Sequence, residues 1–244
     1  MGESKPLTRA PLIVAIDGPA GAGKSTVARA LAERFDLLNL ESGAMYRAFA
    51  MKALEADVPT SDPVALEALA HITSVRLQSG PEGNRVLLDG VDVTNRLRTP
   101  QITAAASEVS VHPPIRRWLV SLQQELGARG NVVMEGRDIG TVVFPHAPVK
   151  IFLDASPEKR GERRYEQGRG GESGGAAVAT QLPAKVLEEI RERDRRDRTR
   201  ADSPLRPAPD AAIIDSTDLT LEQVIERAAA LVHSYLKATT ATES

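Results

Sequence analysis

The chain has 244 residues, enough for one main domain carrying an insertion, and no cysteine, which excludes disulfides, thiolate metal sites and cysteine nucleophiles. Its 31 basic and 33 acidic residues nearly balance at a net charge of −2, so no global basic field exists to hold nucleic acid or an anionic membrane, and any phosphate binding must be local. No apolar run approaches the ~18 residues of a membrane span, and residues 1–11 lack the apolar stretch of a secretory signal, so no membrane association and a cytoplasmic location are expected.

Residues 1–11 read as a flexible tail, and Leu12 to Ile16 as a short buried strand. The chain then breaks into Gly18-Pro19-Ala20-Gly21-Ala22-Gly23-Lys24-Ser25-Thr26. The spacing Gly18-x4-Gly23-Lys24-Ser25 between a strand and a helix is that of a phosphate-binding loop, whose backbone N–H groups surround phosphate oxygens because glycines permit the required dihedrals. Lys24 is expected to reach the β- and γ-phosphates of a nucleoside triphosphate and the Ser25 hydroxyl to ligate Mg²⁺. A helix over Val27 to Phe35 and a second strand over Leu37 to Leu40 follow. Ser42 and Arg47, on the next helix, fall at that strand's carboxyl end, where open α/β sheets bind ligands; a helix cap and a solvated arginine are equally compatible with the spacing.

Thr60-Ser61-Asp62-Pro63 starts a helix to about Ile72. Ser74 to Gln78 alternates, Arg85 to Leu88 is apolar, and Asp89-Gly90 is a two-residue hairpin turn into Val91 to Thr94. Parallel βαβ units do not normally contain such hairpins, so residues from about 60 to 110 read as an insertion with a small antiparallel sheet. Thr99-Pro100 begins a helix carrying Ser107, and Pro113-Pro114 one carrying Arg116 and Arg117, with Trp118 as a core residue. A buried strand at Asn131 to Met134 ends in Glu135-Gly136-Arg137-Asp138, again polar residues at a strand's carboxyl end.

After a strand at Val149 to Leu153, Ser156-Pro157 caps a helix with Arg160, Arg163 and Arg164 on one side, a face that is ordinarily solvated. Gly168 to Thr180 is Gly- and Ala-rich and is expected to be a mobile lid tip. Residues 191–200 hold six arginines and three acidic residues, consistent with a surface helix stitched by charge pairs. Helical geometry also puts Arg193, Asp197 and Arg200 on one face, where two guanidiniums flanking a carboxylate suit a phosphate and a sugar hydroxyl. A strand at Ala211 to Asp215, a helix at Leu219 to Leu236 and a frayed tail at 237–244 complete the chain. His71, His112, His146 and His233 show no metal spacing and are expected to be structural.

The pieces IDGPAGAGKST (16–26), SGAMYR (42–47), EGRDIGTVVFPHAPVKIFLDAS (135–156) and ERDRRDRTR (192–200) resemble the bacterial cytidylate kinases, a branch of the P-loop nucleoside monophosphate kinases. The resemblance spans residues 12 to 236, with Glu41 where relatives often carry Asp and a longer lid tip. It implies a three-layer α/β/α fold with a five-stranded parallel core sheet: a core of 12–60 and 111–236, a lid over about 157–200 and a monophosphate-binding insertion at 61–110. The implied reaction is transfer of a phosphoryl group from ATP, with Mg²⁺, to CMP or dCMP, by a monomer that binds no nucleic acid.

The resemblance places Gly18 to Thr26 on the donor phosphates, Ser42 and Arg47 near the bound monophosphate, and Ser107, Arg116 and Asp138 at the cytosine edge. It gives Arg137, Arg193 and Arg200 phosphates to hold, Asp197 the ribose, and the catalytic charge to Lys24, Arg137, Arg163, Arg193 and Arg200, with no general base. Rival readings are a kinase for UMP or AMP, a GTP-dependent switch, and an RNA-binding protein. The second lacks an Asn-Lys-x-Asp guanine reader, and the third is disfavoured by the acidic residues among the 191–200 arginines.

Overall fold

The structure, a computed structural model, describes residues 11–80, 83–128, 130–169 and 183–242. Its centre is a five-stranded parallel sheet in the order β2-β6-β1-β7-β8, formed by Leu38–Glu41, Val132–Gly136, Ile13–Asp17, Val149–Asp154 and Ala212–Asp215. β1 is central because it is apolar on both faces, and its alternate residues feed two cores. Ala15 packs with α2 (Ser42–Glu55), α4 (Pro100–Val109) and α5 (Pro113–Gly127) on one side. Val14 and Ile16 pack with α1 (Lys24–Phe35) and α8 (Leu221–Thr242) on the other. Each fully buried Leu or Phe, such as Leu31 and Phe49, contributes about 2 kcal/mol through removal of its surface from water. Trp118, placed in the core from sequence, is only partly buried and packs edge-on against Phe49 at 5.2 Å between ring centroids.

A second sheet, β3-β4-β5 (Val75–Gly80, Gly83–Leu88, Val91–Asp92), is antiparallel and follows α3 (Pro63–His71). The Asp89-Gly90 turn has positive φ at both residues, as a two-residue hairpin requires. α3 starts where its cap dictates, with Asp62 Oδ1 accepting from the N–H groups of Val64 and Ala65. α6 (Pro157–Arg169) and α7 (Pro183–Thr199) lie against each other. α6 runs through Gly168 and Arg169, and the rest of the expected lid tip, 170–180, lies outside the described residues, as do residues 1–10. α8 continues to Thr242, past the expected end at Leu236, and the hydroxyls of Thr239 and Thr240 donate back to carbonyls one turn earlier. Among the described residues no helix is long and apolar enough to cross a membrane.

Candidate active site

The carboxyl ends of β1, β2, β6 and β7 converge on the loop at residues 18–23. Gly18, with φ 148°, has no room for a side chain, because a Cβ there would come within 1.9 Å of the Leu153 carbonyl oxygen. Gly23, at φ 96°, is the left-handed residue from which α1 departs, so the free N–H groups of the helix's first turn face the loop.

Lys24, the first residue of α1, is 5% exposed; its Nζ donates to the Pro19 carbonyl at 2.8 Å and lies 3.8 Å from Glu135. Burial and the neighbouring Arg137 guanidinium push its pKa down to about 7, against the attraction of Glu135 and Asp17. Ser25 Oγ donates to Glu135 Oε1 at 3.1 Å. Glu135, at the end of β6, therefore touches both side chains that the loop motif singles out.

The expected site residues on neighbouring elements gather here. Ser42 opens α2 directly from β2, without an intervening loop, and its hydroxyl donates to the Glu135 carbonyl at 2.8 Å. Arg47, one turn on, pairs with Glu41 at 3.4 Å. Arg137 Nε donates to Asp197 Oδ2 at 2.9 Å; burial opposes the guanidinium's charge, but Asp197 and Glu135 hold its pKa above the ordinary arginine value. Arg193, on the same face of α7, is partly buried, and desolvation, with the nearby guanidiniums of Arg137, Arg47 and Arg164, lowers its pKa to about 10. Arg200 donates to the Ser203 carbonyl at 2.6 Å and faces Asp138 at 3.9 Å.

Arg116 on α5 ion-pairs with Asp138, donates to the Ser110 carbonyl at 3.1 Å and lies over the Tyr46 ring. Ser107 on α4 accepts from Arg196 of α7 at 3.1 Å, a link between the two helices that sequence spacing does not reveal.

Arg163 stands apart from this cluster. It donates to Ser216 Oγ and to the Ser216 carbonyl, just after β8, and the Ser216 hydroxyl in turn approaches the Ala22 carbonyl of the loop. Its neighbour Arg160, on the helix face expected to be solvated, is instead among the largest fully buried side chains. The Arg160 guanidinium forms a bidentate pair with Asp194 of α7 and donates to the Ala20 carbonyl at 3.0 Å, tying the loop to α7. An open cleft of about 450 Å³ beside this pair is lined by Asp154, Ser156, Arg160, Arg198 and Thr217.

The cluster has more buried donors than acceptors. Arg47 Nε, Arg116 Nε, Arg193 Nε and Arg200 Nη2 are buried without a hydrogen-bond partner. Each buried unsatisfied group costs about 1–3 kcal/mol, more when charged, so the arrangement is matched to an anionic ligand rich in acceptor oxygens.

Strand order, loop and converging arginines place the molecule among the P-loop nucleotide kinases. Within that class the chain belongs to the cytidylate kinase family, whose model matches residues 14–234. A cytidylate kinase from Solibacter usitatus is 48% identical over 223 residues, covering 91% of this chain and 93% of that protein. One from Pelotomaculum thermopropionicum is 50% identical over 222 residues (90% and 95%), and one from Pasteurella multocida 43% over 226 (92% and 96%).

Proposed function

We propose that the protein transfers the γ-phosphoryl group of ATP to CMP or dCMP, giving ADP and CDP or dCDP, and does so as a cytoplasmic monomer. The observation that carries this reading is the set of buried guanidinium nitrogens without acceptors, on three helices and the residue just after the last of them, around one P-loop. Two nucleotides meeting phosphate to phosphate provide the acceptors that this set lacks. In this reading residues 61–110 form the monophosphate-binding insertion and 157–200 the lid. The loop from Gly18 to Thr26 holds the donor phosphates; Ser42, Arg47, Arg137, Arg193 and Arg200 hold the acceptor phosphate and the group in flight; and Asp197 leaves Arg137 for the ribose. The adenine enters the cleft between Arg160 and Thr217. Arg163 serves the donor end indirectly, through Ser216 and the Ala22 carbonyl.

Ser25 and Glu135 offer a hydroxyl and a carboxylate 3.1 Å apart, the hard oxygen donors that Mg²⁺ takes alongside substrate phosphates and water. These two residues would hold Mg²⁺, which would supply charge neutralisation for the donor's phosphate oxygens. The protein's own contribution is alignment and charge: Lys24 and the guanidiniums face the oxygens on which negative charge spreads, and the lid excludes the competing acceptor, water.

Base choice follows from the Arg116–Asp138 pair. Asp138 spends Oδ2 on Arg116, leaving Oδ1 as an acceptor, and Arg116 keeps its Nε as a donor. Cytosine presents an amino donor beside the N3 acceptor and matches this set, whereas uracil presents a carbonyl beside N3–H and reverses it. A coupled ADP-release assay over CMP, dCMP, UMP, AMP and GMP tests the reading; CMP and dCMP are expected to lead in kcat/KM, and a lead for UMP or AMP would contradict it.

The depressed pKa of Lys24 gives a further test. Below its unfolded value of 10.5 and above about 7, the unfolded chain binds a proton there that the folded, unliganded protein does not, so this group's penalty on stability shrinks as pH rises through that window. Triphosphate oxygens beside Nζ favour the charged form, so ATP binding at a pH near 8 is expected to take up about half a proton to one proton. Titration calorimetry in two buffers of different ionisation enthalpy measures this, and no uptake would show that Lys24 is already charged.

A further inference from the structure

Asp17, the last residue of β1, is 4% exposed and is not among the residues assigned above to a substrate. Its carboxylate accepts two backbone N–H groups at 2.7 Å each, Ile139 on Oδ1 and Gly140 on Oδ2. These open the π-helical turn Ile139–Val143, and the residues just before it are Arg137 and Asp138. From within the turn, the N–H groups of Val142 and Val143 close back on the Asp138 carbonyl. The carboxylate thus caps a one-turn helix whose first donors no backbone carbonyl reaches. Burial raises its pKa to about 6, with Asp138 repelling it and Lys24 attracting it, so the site retains a carboxylate at some cost. Asparagine would be uncharged but could accept only one of the two N–H groups and would set its own amide donor against the other.

We infer that Asp17 is a positioning residue for the acceptor nucleotide: by fixing the turn at 139–143 it aims Asp138 at the base and Arg137 at the phosphate. The inference rests on the acceptor-site reading above, and the test separates the two. Asp17→Asn is assayed with CMP, UMP and ATP varied in turn, beside the wild type. The mutant is expected to show a CMP KM raised about tenfold, a CMP-over-UMP preference lowered by about the same factor, and an ATP KM within about threefold of wild type. Unchanged CMP KM and preference would overturn the inference. So would CMP and ATP KM rising in step, because Asp17 would then act on the adjoining Gly18 loop.

If the wild type itself shows no preference for CMP, the functional reading fails instead. Gly140→Ala is the second variant, should Asp17→Asn not fold. A Cβ there would come within 3.3 Å of both Asp17 Oδ2 and the Lys150 side chain, crowding the carboxylate at the turn while leaving its charge. It is expected to raise CMP KM with little change for ATP, and equal kinetics to wild type would count against the role.

Discussion

Lys24→Ala is expected to lower kcat by at least about two to three decades, the scale on which removing a preorganised charge from a transition state is felt. The fold should survive it. Lys24 is held in place at an electrostatic disadvantage, its charge disfavoured by burial and by Arg137, and its one hydrogen bond is to the Pro19 carbonyl of the same loop. Removing it relieves the folded state of a desolvated amine and leaves Glu135 still bonded to Ser25. The unfolding temperature is therefore expected to stay within a few degrees of wild type. Turnover within about tenfold of wild type, on protein with an unchanged unfolding transition, would contradict a phosphoryl-transfer role for the loop.

The second large effect is on the base. Arg116→Met removes one half of the buried pair with Asp138 and the stacking on Tyr46. Such a site can separate cytosine from uracil by roughly two to five decades, because the wrong base opposes two donors and strands buried polar groups. The mutant is expected to lose kcat/KM for CMP far more than for UMP, flattening the preference, while ATP KM is unchanged. It is also expected to be less stable by about 3–5 kcal/mol, since Asp138 then keeps only the more distant Arg200 at 3.9 Å. Equal losses for both bases would assign Arg116 to phosphate or structure and remove it from base recognition.

The parts of this site legible in the sequence are those whose chemistry fixes a local spacing. The loop at 18–26 announces itself because glycine dihedrals, a lysine and a hydroxyl must follow one another along the chain. The i, i+4, i+7 placement of Arg193, Asp197 and Arg200 is equally local; Asp197 is buried, and Arg193 Nε and Arg200 Nη2 are buried atoms, so the surface-helix alternative does not hold for that face.

Partners far apart in sequence are what spacing cannot supply. Ser25 finds Glu135 across 110 residues, Asp17 finds Ile139 across 122, and Arg160 finds Ala20 across 140. Each of these pairings exists because β6 and β7 are the sheet neighbours of β1, a topological fact. Polar residues crowding the end of the β6 strand were the available signal for Glu135. Arg160 had the weaker one of lying on the same helix side as Arg163 and Arg164, and helical spacing does not say which arginine turns inward.

The acceptor panel, run with ATP labelled at its γ-phosphoryl group, tests the central claim most directly. The account predicts label in the β-phosphoryl group of CDP, at a rate that rises and saturates with CMP, with little release as inorganic phosphate when CMP is absent. Label appearing as inorganic phosphate at one rate with or without CMP would contradict it.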